Sequence, residues 1–290
     1  MAINYAASYR KEVDERFYRA SQAVLALNND YKFTGEKTVK VYSLPTVPMV
    51  NYTRSGTNRY GNPADLQDNV QELTVTQDRA FTFVIDKGDK IQTRMAHDAG
   101  KSLTRQIREV VVPEYDHYVF DKLARTAQTK GNTSHANVTK NNAYEEFLAA
   151  QEALGDANVP DSGRVCFCSY KFANLLKQDS AFMLASERSR QALERGIIGE
   201  VDGVKIVRVP KNRLAYNSST SNGTTNYTYC TDFILTHPIA ATAPKQLEDY
   251  KIHDNPPGIS GWLVEGRILY DCFILNNKAD AVFYHGATLT

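Results

Sequence analysis

The segment VQELTVTQDRAFTFVID (Val70–Asp86) alternates along almost its whole length. Leu73, Val75, Phe81, Phe83 and Ile85 point one way, and Glu72, Thr74, Thr76, Asp78 and Thr82 point the other. Such a pattern describes a strand with one buried face. Its expected partner is KTVKVYSL (Lys37–Leu44), with the polar tip TRSGTNRYGNPADLQDN (Thr53–Asn69) between them as a loop. Pro45 and Pro48 interrupt the first strand, as suits an edge or a bend. A two-stranded ribbon has no core of its own and is marginal in water. Support from outside the subunit is therefore expected, which points to assembly rather than catalysis.

A long charged helix is expected next, Arg94–Lys130, kinked or broken at Pro113. Arg94, Lys101, Arg105 and Arg108 fall seven, four and three residues apart and share one face. That face is either solvated or turned toward nucleic-acid phosphates. Leu103, Ile107 and Val111 share another face, which Tyr115, Tyr118 and Leu123 continue beyond the proline. Upstream, residues 1–30 carry a helical apolar stripe, Tyr5, Tyr9, Val13, Phe17, Ala20, Val24 and Leu27. It docks on its own domain or on a neighbour.

Downstream, Gly131–Asn142 is a polar linker. Asn142 and Glu145 predict a capping-box start to a helix that ends at Gly155. Arg164–Ser169 is a buried strand, Lys171–Lys177 and Ala181–Arg195 are helical, and Ile197–Pro210 is a hairpin turning at Asp202-Gly203. Ser218–Asn226 is expected to be a flexible loop, and the polar stretch Asn217–Asn226 a candidate outward-facing site. Thr231–His237, Trp262–Asn277 and Ala279–His285 complete an α+β chain as strands.

The composition excludes little but sets the class. The chain has 290 residues, 42% hydrophobic and 23% charged, with 34 Lys and Arg against 33 Asp and Glu. A net charge of +1 argues against a dedicated nucleic-acid binder and suits self-association. The N-terminus lacks the apolar core of a signal peptide, and no stretch approaches a transmembrane span. Cys166, Cys168, Cys230 and Cys272 are expected as reduced thiols, and the six Asn-x-Ser/Thr sequons as chance products of polar loops. Phosphate-loop, dinucleotide, HExxH and GxSxG motifs are absent from the sequence. The six histidines are scattered, and Asp86 and Asp89 alone fall short of a calcium loop. No catalytic, metal or cofactor site is expected.

Several strings, taken in order, resemble the major capsid protein of tailed double-stranded-DNA bacteriophages, the Johnson fold. They are KTVKVYSLPTV, LTVTQDRAFTFVIDKGD, VVPEYDHYVFDKLA, NNAYEEFLAAQEALGDANVP, RVCFCSYKFANLLKQ and GEVDGVKIVRVP, and the resemblance covers nearly the whole chain. It implies an N-terminal arm (1–36), an extended-loop hairpin (37–93), a spine helix and peripheral domain (94–142), and an axial domain (143–240). Residues 241–290 would return to the peripheral domain and add a closing axial strand. Hexamers and pentamers would close into an icosahedral shell around packaged DNA, assembled in the host cytoplasm. Tyr9, Val13, Phe17 and Val24 would form the arm interface. Arg94, Lys101, Arg105 and Arg108 would face the DNA with weak, sequence-independent contacts.

Some relatives weld their shells through a lysine on the extended loop. Here no lysine lies between Lys40 and Lys87, and the guanidiniums of Arg54 and Arg59 cannot serve as the amine nucleophile. The loop is therefore expected to hold its neighbour noncovalently, with Arg54, Arg59, Asp65 and Asp68 as inter-subunit ion-pair candidates. About 36 residues precede the hairpin, so a separate scaffolding protein is expected. A portal protein at one vertex and, optionally, a decoration protein complete the expected partners, with no membrane involved. The alternatives are an encapsulin-like nanocompartment shell, another virion component such as a tail protein, and an enzyme of unknown type.

Overall fold

The computed structural model describes residues 21–28, 38–43, 46–63, 65, 69–88, 99–178, 197–221 and 224–289. Tyr9, Val13 and Phe17 of the expected arm helix lie outside these residues, as does the expected helix Ala181–Arg195. The described end of the arm is not α-helical. Ala23–Ala26 make one 3-10 turn, Leu27 is extended, and Asn28 bridges to Thr242. The cause is the carboxylate of Asp116, fully buried on the long helix. It accepts from the Ser21 hydroxyl, from the Gln22 and Ala23 amides at 3.0 and 3.3 Å, and from Arg213 at 3.0 Å. Two backbone donors are thus fixed on a side chain from another element. Ala23 and Ala26 take the buried positions, and Val24 is left half-buried. Burial pushes the Asp116 carboxyl above its ordinary range, while the Ser21 and backbone hydrogen bonds and the Arg213 charge pull it back.

β1 (Thr38–Ser43) and β2 (Asn69–Thr74) form the expected antiparallel hairpin, Thr38 facing Thr74 and Ser43 facing Asn69. The alternating run does not continue as one strand. It breaks after β2, and β3 (Gln77–Asp86) joins a different sheet. The inside–outside phase survives the break, since Leu73, Val75 and Ile85 are all buried.

α1 (Ala99–Gln106), a π-helical turn (Ile107–Val111) and α2 (Val112–Lys130) follow one another with helical dihedrals at both junctions. Pro113 therefore neither breaks nor ends the helix. It lacks an N–H, and its ring crowds the carbonyl four residues back, so the wider turn just before it absorbs the conflict. The extra residue moves the buried stripe by one. Leu103 and Ile107 are buried as expected, but Val112 replaces Val111, and Tyr115, Val119, Leu123 and Ala127 follow. Gly131 closes the helix in the left-handed region at φ 80°.

The polar linker contains a short strand, β4 (Thr133–Ser134). Asn142 occupies the N-cap position of α3 (Ala143–Asp156) as expected, but its side chain makes no capping bond; its Oδ1 accepts from the amide and hydroxyl of Thr139 and closes the preceding turn. Glu146, rather than Glu145, is engaged, accepting from Ser134 Oγ at 2.9 Å. β5 (Val165–Ser169) is buried at every position, and α4 (Tyr170–Gln178) follows it. β6 (Ile197–Val201) and β7 (Val204–Val209) form the expected hairpin, with Asp202 and Gly203 both at positive φ. β8 (Tyr216–Ser221) and β9 (Thr224–Tyr229) pair along their whole length, so the expected flexible loop is a second hairpin. Asn222-Gly223 in the sequence was its signal.

β10 (Thr231–Thr236) is followed by β11 (Ala241–Thr242), and then by β12 (Lys245–Asp254), β13 (Gly261–Tyr270), β14 (Phe273–Ile274) and β15 (Val282–Gly286). The expected strand Trp262–Asn277 is thus split at Asp271-Cys272. Residues 276–281 form a 3-10 turn, so the last strand begins at Val282 rather than Ala279. β12 was not anticipated, because charged residues interrupt its apolar positions.

The central sheet runs β4-β15-β10-β5-β7-β6. Alternate residues of β5 feed opposite cores. Val165 and Phe167 meet α2, and Cys166 and Cys168 meet α3 and α4 through Phe147 and Phe172. Helices cover both faces, which is why the strand VCFCS is apolar without alternation. A smaller sheet, β12-β13-β3, carries the long helix beside it.

Replacing Asp116 with alanine removes the acceptor for the arm and leaves Arg213 without its buried partner. Stability is expected to fall by roughly 3–5 kcal/mol, read from urea unfolding. A midpoint unchanged from the parent would refute this. Arg267→Ala, at an exposed pair with Asp78, should leave the midpoint nearly where it was.

Candidate functional site

The hairpin leaves the body at a defined point. At Thr76 the chain meets Asp271, 3% exposed in the corner between β13 and β14. Its carboxylate accepts from the Thr76 amide at 3.0 Å, the Thr76 hydroxyl at 2.8 Å, the Cys272 amide at 2.7 Å and the Tyr118 hydroxyl at 2.6 Å. Burial, and after it the bond to Asp271, pushes the Tyr118 phenol up, so it remains a donor. One side chain thus joins the hairpin base, the long helix and the last third of the chain. A small apolar cluster of Leu73, Val75 and Leu275 seals the junction. Val70–Asp86 shows the strand, but nothing local marks the break, because Asp271 lies 195 residues from Thr76.

Gln71 also ties β2 to the body, donating to the Ile274 carbonyl and accepting from the Asn276 amide, both at 3.0 Å; the tip beyond has no cover. Every residue from Thr46 to Tyr60 is exposed. Tyr42, Val47, Met49, Val50, Tyr52, Tyr60 and Val70 all present large apolar side chains to solvent, Met49 completely. The tip is nevertheless ordered by its own contacts. The Thr53 amide donates to Arg59 O at 3.1 Å, Tyr52 meets Tyr60 edge-to-face at 5.0 Å, and Val50 lies over Gly61, where a Cβ would come within 2.7 Å of it. A concentration of exposed apolar groups on one projecting segment marks an interaction surface.

The ion-pair candidates are only partly placed. Among the described residues, Arg54, Arg59 and Asp65 are exposed and make no ion pair within the subunit; Arg59 Nε donates to the Gly56 carbonyl at 3.2 Å. Asp68 lies outside the described residues. On the long helix Lys101, Arg105 and Arg108 are exposed along one side, and Arg94 lies outside the described residues. Arg105 Nε donates a bifurcated bond to both carboxylate oxygens of Glu109, 2.9 Å to each, which offsets part of that positive face.

The buried polar groups are structural. His285 sits between Glu146 and Asp232, 3.3 Å from each, and stacks on Phe233. His117 stacks on Tyr216 at 3.9 Å. Burial pushes the Cys166 thiol well above its ordinary range, and Cys168 and Cys272 up to about 12, so these three stay protonated and unreactive at neutral pH. Among the described residues, no group of three or more His, Cys, Asp or Glu side chains is placed to hold a metal ion. No helix among them is long and apolar enough to cross a membrane.

No protein-family model and no curated protein sequence matches this chain. Solved structures do. A structure from Mycobacterium phage Che8 matches with a TM-score of 0.68 at 19% identity, over 90% of this chain and 89% of that one. The capsid of the Cyanophage P-SCSP1u matches at 0.65 and 15%, over 89% and 86%. The chain has the fold of a phage capsid subunit. The resemblance drawn from its ordered strings is borne out at the level of that fold. A virus-like particle from Pyrococcus furiosus matches at a lower TM-score of 0.56 and 11% identity, over 98% of this chain and 100% of that one.

Truncating Asp271 to alanine strands four donors at the hairpin root. A loss of roughly 3 kcal/mol or more is expected in urea unfolding. Hydrogen exchange should show lost protection at the amides of Thr76 and Cys272, and unchanged protection there would contradict the assigned role.

Proposed function

We propose that the chain is the major capsid protein of a tailed double-stranded-DNA phage, associating into hexamers and pentamers of an icosahedral shell. The observation that carries this is the projecting hairpin, which exposes seven large apolar side chains on a subunit with a phage-capsid fold. A surface of that kind is covered by a second copy or it is a solubility liability. In this reading residues 1–36 are the arm, with Tyr9, Val13, Phe17 and Val24 at its interface. The extended loop is residues 37–93, exposed at its tip, held at Gln71 and at the Asp271 root, and anchored through β3 beyond them. Residues 94–142 form the spine and peripheral domain, 143–240 the axial domain, and 241–290 the return.

The loop holds its neighbour noncovalently, because it carries no lysine between Lys40 and Lys87. Arg54, Arg59, Asp65 and Asp68 pair across subunits at the tip, and their exposure makes them a means of alignment more than a source of affinity. Arg94, Lys101, Arg105 and Arg108 face the packaged DNA, with contacts that are nonspecific and weakened by salt. The protein acts as a structural component of the virion and not as an enzyme. Its partners are its own copies, a separate scaffolding protein during assembly in the host cytoplasm, a portal protein at one vertex and, optionally, a decoration protein.

Negative-stain microscopy of particles purified from infected cells tests this directly. Icosahedral shells filled with nucleic acid are expected. Small shells filled with protein cargo would favour the nanocompartment reading, and a monomer or dimer would sink both. On a denaturing gel the shells are expected to run as a single band of subunit size, and a ladder of covalent oligomers would overturn the noncovalent assignment.

A further inference from the structure

Five of the six strands of the central sheet present the same end to one hollow. Ser169 ends β5, Lys211 follows β7, Thr231 begins β10, Gly286 ends β15 and His135 follows β4. The cavity between them has a volume of about 380 Å³. Both parallel pairs, β5 with β7 and β15 with β4, place their carboxyl ends there, which is where open α/β sheets take their ligands. Two backbone features shape it. Thr231 faces Gly286 and Phe233 faces His285, so Asp232 is the extra residue of a β-bulge, a device that re-aims a side chain. At Gly286 a Cβ would lie 2.2 Å from the Cys230 carbonyl oxygen, so no side chain fits at that point of the wall.

The lining is rich in donors that have no acceptor. Lys171, on the first turn of α4, and Lys211 are exposed and make no ion pair among the described residues. Ser169 is 4% exposed, and its oxygen accepts from the Phe172 amide at 3.2 Å, which leaves its own proton free to donate into the hollow. His135 Nδ1 lies 2.6 Å from the Gly286 carbonyl oxygen, so that nitrogen carries the hydrogen and Nε2 is left open. Asp232 is the carboxylate of the lining, and it faces inward, 3.3 Å from Nδ1 of the buried His285. The start of α4 adds the partial positive charge of a helix N-terminus. Two ammonium groups and a buried hydroxyl call for an anion with several oxygens, and a phosphate supplies more of them than a carboxylate does. The Tyr229 ring, 44% exposed at the lip, offers a flat face beside it.

The geometry points to a binding site for a small phosphate-bearing molecule, with Lys171 and Lys211 as its cationic contacts and Ser169 as a third donor. Every lining residue belongs to one subunit, so the site stands apart from the shell reading. Isothermal titration of the full-length protein at constant ionic strength tests it, with inorganic phosphate in one arm and adenosine monophosphate in the other. Saturable binding at one site per subunit is expected, weakened roughly tenfold or more in the Lys171→Gln/Lys211→Gln variant. Both lysines are exposed, so folding should survive the change. Lys205→Gln, at the opposite end of β7, should bind as the parent does. Tighter binding of adenosine monophosphate would identify a nucleotide as the source of the phosphate, and binding no tighter than that of inorganic phosphate would identify the free anion. Absence of saturable binding in both arms would overturn the site, as would undiminished binding by the double variant. Neither result would touch the capsid reading, which is judged by the particles themselves.

Discussion

The carboxylate of Asp271 decides where the body of this subunit ends and its arm begins. Four donors from three parts of the chain converge on it: Thr76 at the hairpin root, Tyr118 on the long helix, and Cys272 at its own corner. Without that acceptor, the alternating run Val70–Asp86 has no reason to divide between two sheets, because its side-chain phase is continuous. With it, β3 is fixed against β13 and β2 is released to pair only with β1. The base of the projecting hairpin is therefore set by this buried polar contact together with the Leu73–Val75–Leu275 cluster and the two bonds of Gln71 to Ile274 and Asn276. Its direction is set by the long helix and the β13–β14 corner together.

Asp116 does for the arm what Asp271 does for the hairpin. It lies on α2, so both carboxylates use the long helix as their reference. Tyr118 and Asp116 are two residues apart and serve the two different junctions. The helix can carry both because it is continuous across Pro113. A break there would have uncoupled α1, which packs near β13, from α2, which packs on the central sheet. The π turn preserves this continuity and leaves Val110 on the surface.

The strand alternation, the two-faced burial of β5, the Asp202-Gly203 turn and the helical stripe through Ile107 were all legible, because each is set by neighbours within a few residues. What was not legible depended on distant partners. The break at Thr76 needs Asp271, and the 3-10 turn at Ala23 needs Asp116. The shift of the stripe from Val111 to Val112 follows from a π turn, which a fixed helical period cannot represent. β12 was missed because KQLEDYKIHD is half charged, and only its pairing with β13 over nine positions reveals it as a strand. For the candidate site, the absence of lysine from the tip was visible, but the exposure of Met49 and its neighbours was not. An apolar residue gives no sequence sign of whether a core exists to receive it.

The energetics of the hairpin fit assembly that can correct itself. Fully burying Val47, Met49, Val50 and Tyr52 would contribute roughly 1.5–3 kcal/mol for each side chain. Bringing two subunits together costs an estimated 4–15 kcal/mol in lost freedom. One such contact is therefore marginal, and a misplaced subunit can leave. In the proposed shell each copy would extend one hairpin and receive another, so the same modest contact would act twice per copy without a further association cost once its neighbours were in place. Covalent locking would fix errors as firmly as correct contacts. On the proposed reading, an uncharged hairpin segment free of lysine would leave a shell dependent on the sum of many reversible contacts.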